Sequence, residues 1–261
     1  HAEGLLYESP LVFPLSICGD GAKKLALKYD IGIVEEKSLI TRASFNRYKK
    51  CLKKMNGSKP GEEIAGRDIM ASDTVGCLVV NSSGSTVAAC SSGGILFKKP
   101  GRLGPAAFYG CACWAEDADD LSITITVSGC GETLIKTHFA RSCAEFIFQK
   151  LREDENSCLM DIVQNFFKIR YLESRLLNEF DTCRKTAGFI VVVCQKCKTN
   201  VETENNISDL LIELAYVHNS EEMVIGYGLR RKNGETKLQS FSSKSENGKV
   251  DLSLNDVGFE V

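Results

Sequence analysis

The chain has 261 residues, a formal net charge of −2 and 43% hydrophobic residues. That is enough apolar material for a packed core in one domain or two, and so small a charge gives no global field to draw the chain to nucleic acid or a membrane. No apolar run approaches the roughly twenty residues of a membrane helix.

The chain opens on His1 without Met, and its first apolar stretch contains Pro10 and Pro14, so no leader pattern is read and a truncated or processed start is expected. Residues 1 to 40 predict a loop and then a helix near Gly21 to Tyr29. From Ser38 to Gly61 stand seven Lys or Arg and no acid. With little apolar periodicity up to Ser72, residues of about 38–72 are expected to form a solvated basic loop. Its second reading is a nuclear-import signal, which makes cytoplasm and nucleus the expected compartments.

The basic stretch gives way at Asp73-Thr74-Val75-Gly76 to the first clear strand, running to Asn81. A threonine at such a junction becomes a nucleophile if the bond before it is cut. The new α-amine has a reference pKa of about 7.7 to 8, so it can take the hydroxyl proton near neutral pH. The β-branch limits the positions of that hydroxyl.

Asn81-Ser82-Ser83-Gly84-Ser85 then predicts a hairpin turn into Thr86 to Cys90, followed by Ser91-Ser92-Gly93-Gly94. Next come Pro100-Gly101-Arg102-Leu103-Gly104-Pro105, the run Ala106 to Glu116, a strand from Ser122 to Val127, and Ser128-Gly129-Cys130-Gly131-Glu132. Beyond Gly131 the period turns helical, with Leu134, Ile135, His138, Phe139, Ser142, Cys143, Phe146 and Ile147 on one face. A second helix is predicted from about Cys158 to Ser174. Strands are predicted at Ala187–Cys194, Leu210–His218 and Met223–Leu229, with a hairpin turn at Lys232-Asn233-Gly234-Glu235. Strands, a helix pair and strands again imply helices packed on a sheet.

Twelve cysteines are present, and Cys77, Cys90, Cys143 and Cys194 fall inside strands or helices as small apolar side chains, the usage of a reducing compartment. Cys194 and Cys197 form a lone CxxC with no second pair or spaced histidine, so no metal is expected. His138 and His218 read as satisfied structural histidines, and Trp114 as core.

From Asp73 to Glu132 four motifs occur in order: Thr-Val-Gly, Ser-Ser-Gly-Gly, Pro-Gly-Arg-Leu-Gly and Gly-x-Gly-Glu. In these the chain resembles the threonine-nucleophile asparaginase family, which includes glycosylasparaginase. The run Ala106 to Glu116 is most similar to its threonine aspartase (taspase) branch, proteases that cut after aspartate.

The resemblance implies a four-layer αββα sandwich of the N-terminal-nucleophile hydrolase type. Residues 1–73 would be the end of an α subunit and 74–261 the β subunit, together one domain. It implies self-cleavage between Asp73 and Thr74 by an N-to-O acyl shift and ester hydrolysis. It makes Thr74 the nucleophile, puts Ser92 beside it, aims the Ser128 hydroxyl and the Gly129 N–H at the oxyanion, and makes Arg102 the anchor for a substrate carboxylate. No cofactor is implied. The implied partners are protein substrates with aspartate at the cut, the chain's own α fragment, and a second copy in a dimer of αβ units.

Two departures bear on the reading. Asparaginases of the family carry an aspartate three residues after the arginine, which holds the substrate's α-ammonium; Pro105 stands there and favours a substrate whose amine is already in a peptide bond. The family's glycine-rich first strand and Asn-Ala-Gly motif are not found before residue 73, so part of the N-terminal subunit is expected to be missing. An isoaspartyl peptidase or asparaginase is the alternative within the fold, and an inactive homologue that only binds partners is the alternative outside enzymes.

Overall fold

A computed structural model describes residues 16–57, 73–196, 210–230, 234–245 and 251–255. The contacts divide the chain into two units, residues 1–71 with 95–98 and residues 72–94 with 99–261.

In the first unit, helix α1 spans Gly19–Lys28, close to expectation. Helix α2 spans Arg42–Gly57, where the sequence reading expected a loop. Two local causes account for it. The Ser44 N–H donates to Thr41 Oγ1 at 3.1 Å, which satisfies one of the orphan donors of the first turn. Phe45, Tyr48, Leu52 and Met55 then recur at helical spacing, a stripe obscured by the lysines between them. Lys49 lies over the Phe45 ring at 4.4 Å, and Tyr48 meets Phe97 with ring centroids 5.1 Å apart.

The second unit holds the strands. Strands β1 (Val75–Val80) and β2 (Thr86–Ser91) form an antiparallel hairpin. Its turn is the one the sequence predicts: Asn81 Oδ1 accepts the N–H groups of Ser83 and Ser85, both at 2.9 Å, and Gly84 takes a left-handed φ of 80°. Strands β3 (Cys113–Ala118) and β4 (Leu121–Gly129) follow. Helices α3 (Gly131–Thr137), α4 (Phe139–Glu153) and α5 (Leu159–Asn165) come next. Strands β5 (Ala187–Lys196), β6 (Leu210–His218), β7 (Glu222–Arg230), β8 (Thr236–Lys244) and β9 (Asp251–Asn255) complete the described elements. The main sheet is antiparallel in the order β3-β4-β5-β6-β9, and β7 with β8 makes a separate pair. No described helix is long and apolar enough to cross a membrane.

Strand β4 shows how the layers stack. Its Ile123, Ile125 and Val127 enter the apolar cluster built with Phe139, Cys143 and Ile147 of α4. Its alternate residues point the other way, where the Thr124 hydroxyl donates to the Val87 carbonyl of the hairpin at 3.3 Å. Both faces of β4 are therefore covered, by helices and by hairpin. At the centre of the cluster Phe139 meets Phe166, Tyr171 and Phe189 edge-on at centroid distances of 5.2, 5.0 and 5.0 Å. This is the mixed α/β architecture of helices on antiparallel sheets expected from the sequence, and it is consistent with the N-terminal-nucleophile hydrolase fold.

Two helices depart from expectation. The apolar face from Leu134 to Ile147 is broken at His138, which takes a left-handed φ of 45° between α3 and α4. The Arg141 N–H, released by that break, donates to the Gly110 carbonyl at 3.0 Å. The second helix passes after Asn165 into a π turn over Phe166–Leu172, which brings the Tyr171 hydroxyl to Thr133. Cys90, Cys143 and Cys194 are part-buried or buried as expected, but Cys77 is exposed on the hairpin. The other half of the CxxC, Cys197, and the start of the predicted turn at 232–235 lie outside the described residues. His218 is fully buried between Ser243 Oγ, 2.9 Å from Nε2, and the Ser220 carbonyl, 3.0 Å from Nδ1.

Candidate functional site

Of the predicted site residues, Thr74 and Ser92 lie at one end of the β1–β2 hairpin, Ser128 and Gly129 at the end of β4, and Arg102 on the loop that follows β2. Thr74 stands immediately before β1 and Ser92 immediately after its partner β2. The antiparallel register pairs Val75 with Ser91, so the residues one step outside it face each other. Their hydroxyls are 3.0 Å apart, a direct hydrogen bond. Thr74 is half-buried and Asp73 exposed.

Ser128 and Gly129 end β4. Val87, whose strand partner is Val79, receives the Thr124 hydroxyl, while Gly76 stands against Thr126. The hairpin's first strand thus descends from 79 to 76 as β4 rises from 124 to 126. One further step along each chain brings Thr74 and Ser128 to the same end of the stack. Glycine is required at 129 by its surroundings, because a Cβ there would lie 2.9 Å from Ala187 Cα and overlap the Thr186 carbonyl.

Arg102 follows a tight turn in which its N–H donates to the Lys99 carbonyl at 3.0 Å. Its guanidinium is held by Glu132, with Nε donating to Oε1 and Nη2 to Oε2, both at 3.0 Å. This side-on fork was not foreseen, although Glu132 belongs to the Gly-x-Gly-Glu motif. It occupies the Nε edge and leaves the edge between Nη1 and Nη2 for a second carboxylate. Pro105 is buried at the start of a short 3₁₀ turn, Pro105–Ala107. A Cβ on Gly131 would come within 2.7 Å of Arg102 Nη2 and 2.9 Å of Pro105 Cδ. The glycine therefore lets the proline and the guanidinium close on the turn that carries Glu132.

That turn is tied from behind. The Thr133 hydroxyl donates to the Cys130 carbonyl at 2.8 Å and lies 2.8 Å from the Tyr171 hydroxyl. The Cys130 N–H donates to the Thr186 carbonyl at 2.9 Å. Burial is the main cause that raises the Tyr171 phenol above its ordinary pKa, opposed by the Thr133 hydrogen bond, so it stays neutral. Nothing in the sequence pointed to Tyr171, which is 38 residues from Thr133. On β2, burial first and then the neighbouring Cys113 raise the Cys90 thiol above its ordinary value. Among the described residues no group of His, Cys, Asp or Glu is arranged to hold a metal ion.

Over residues 14–165, more than half its length, the chain matches the asparaginase family. It belongs to that family. An isoaspartyl peptidase/L-asparaginase of Danio rerio is 32% identical over 127 residues, which are 49% of this chain and 38% of that protein. An isoaspartyl peptidase of Salmonella typhimurium is 29% identical over 122 residues, 46% of this chain and 37% of the relative. The N(4)-(beta-N-acetylglucosaminyl)-L-asparaginase of Rattus norvegicus is 36% identical over 69 residues, 26% of this chain and 19% of the relative. The matched stretches thus take in less than two fifths of each of these relatives.

Proposed function

We propose that this chain carries the nucleophile of a self-cleaving threonine hydrolase that acts on aspartyl peptide bonds. The observation that carries the reading is the Thr74–Ser92 hydroxyl pair at 3.0 Å, directly after Asp73. In maturation the Thr74 hydroxyl attacks the Asp73 carbonyl. The C–N bond breaks as the C–O bond forms, and the hydroxyl proton goes to the released amine. Water then cleaves the ester, leaving a carboxyl terminus on Asp73 and a free amine on Thr74. In turnover that amine takes the hydroxyl proton as Thr74 attacks the substrate, and passes it to the leaving amine. Water releases the acyl group. Ser92 orients the nucleophile, Ser128 and Gly129 stabilise the oxyanion, and the open edge of Arg102 receives the substrate carboxylate.

Two observations favour different substrates. The relatives' activities support an isoaspartyl peptidase or asparaginase. Pro105 supports an endopeptidase that cuts after an internal aspartate, like the threonine aspartases: it has no acid with which to hold a free α-ammonium, and Glu132, the acid that bonds Arg102 among the described residues, is engaged by the guanidinium. We take the endopeptidase as the reading of this site, with proteins carrying a suitable aspartate as its substrates.

Intact mass and N-terminal sequencing of the full-length protein test the nucleophile. Two fragments divided before Thr74, and a single uncut chain for Thr74→Ala, are expected. A cut elsewhere, or processing of the alanine variant, overturns the proposal.

A further inference from the structure

We infer that self-cleavage recognises Asp73 through the backbone at Gly93 and Gly94, and that cleavage of separate substrates recognises aspartate through Arg102. The inference rests on the proposed self-cleavage and adds that the two reactions read their aspartate with different groups.

Asp73 occupies the position before the scissile bond, so a single recognition site would require its carboxylate on Arg102. The two are apart. Among the described residues the Arg102 side chain bonds Glu132 through Nε and Nη2. The Asp73 side chain lies instead over the segment that follows Ser92. The Gly93 N–H points at Asp73 Oδ1 from 3.5 Å, a long contact between a backbone donor and a carboxylate. Gly94 supplies the space: a Cβ built there would overlap the Asp73 carboxylate and come within 2.9 Å of its Cβ. Gly94 does not have a positive φ, so its glycine identity answers to the room Asp73 needs and not to backbone strain.

The geometry suits the two tasks. Asp73 is tethered by the chain, so a weak backbone contact and a shaped gap suffice to hold its carbonyl beside Thr74 Oγ1. A separate substrate has no tether and needs the charge and fork of a guanidinium. The Gly93–Gly94 cradle also adjoins Ser92, so the element that orients the nucleophile is continuous with the one that seats the bond it first cuts.

The test follows self-cleavage of full-length protein at Thr74 by intact mass over time, with melting curves alongside. Wild type, Arg102→Ala and Gly94→Ala are compared. Arg102→Ala, which is expected to lose cleavage of added peptides, should cut itself at the wild-type rate. Gly94→Ala pushes the Asp73 side chain aside by about an ångström and should slow self-cleavage roughly ten- to a hundredfold. Arrest of Arg102→Ala in a folded protein, or wild-type speed in Gly94→Ala, overturns the inference. If Gly94→Ala fails to fold, the Arg102→Ala arm decides alone. A wild-type chain that never cuts itself removes the proposed function and this inference with it, whereas a wild type that cuts and an Arg102→Ala that does not removes the inference alone.

Discussion

Replacing Arg102 separates the substrate readings and has a magnitude that can be worked out. Its only side-chain partner among the described residues is Glu132, and the two side chains are 18% and 52% exposed. The half-exposed Glu132 carboxylate can be taken up by water when the guanidinium is removed, so Arg102→Ala should remain folded. The loss should fall on substrate. A carboxylate received on the free edge of the guanidinium makes charge-assisted hydrogen bonds worth roughly 1.5 to 3 kcal/mol. At about 1.4 kcal/mol per factor of ten, kcat/KM should drop roughly ten- to 150-fold for a peptide with one internal aspartate. Arg102→Lys keeps the charge but not the planar fork and should fall between. Matured protein would be assayed on that peptide, on its asparagine counterpart, on a β-aspartyl dipeptide and on free asparagine. The aspartate peptide should be the best substrate of wild type and should lose most in the alanine variant. Unchanged turnover by folded Arg102→Ala refutes the role of the arginine. Preference for the β-aspartyl dipeptide or free asparagine refutes the argument from Pro105 and returns the isoaspartyl peptidase or asparaginase.

Other expectations follow from neighbouring contacts. Gly76→Ala forces a Cβ into Thr126; overpacking of this kind costs about 1 to 3 kcal/mol, which lowers the melting temperature by roughly 2 to 12 °C, and an unchanged melt would contradict the stacking of hairpin on sheet. Tyr171→Phe keeps the ring packed against Phe139 but removes the hydroxyl beside Thr133; it should cost about 1 kcal/mol in denaturant unfolding. Cys143 is fully buried, and burial holds its thiol well above the ordinary value; native protein at pH 8 should be alkylated at exposed Cys18, Cys77 and Cys158 and spared at Cys143, as peptide mass mapping would show. Lys49, Lys50, Lys53 and Lys54 lie on α2; if their charge directs nuclear import, replacing all four with Ala should shift a fluorescent fusion out of the nucleus.

Where sequence and structure agree, a short-range pattern was decisive. Strand β4 alternates Ser and Thr with Ile and Val, so its period survives whatever covers either face, and the Asn81–Ser85 turn is written in residues whose side chains make it. The disagreements have longer-range causes. Helix α2 was obscured because six cations stand among its apolar residues, and the Thr41 cap was overlooked. The break at His138 is no feature of its own segment: the Gly110 carbonyl, before β3, receives the freed Arg141 N–H. The pairing of Glu132 with Arg102 spans 30 residues and that of Tyr171 with Thr133 spans 38. No periodicity encodes either, and only the folded chain brings them together.

The glycines of the motifs explain why the site was nonetheless legible. At Gly76 a Cβ would strike Thr126, at Gly94 it would strike Asp73, and at Gly131 it would strike Arg102 and Pro105. These three glycines mark the outline of a side chain that the candidate site brings close, so the motif spacing is a negative image of the packing. That image fixes where Asp73 and Arg102 sit but says nothing of which polar partner each one finds. The family resemblance that these glycines help to carry was therefore enough to name the residues in advance. It could not reveal that Arg102 is bonded by Glu132 while Asp73 lies against the Gly93–Gly94 backbone, and the proposed division between self-cleavage and substrate cleavage rests on that difference.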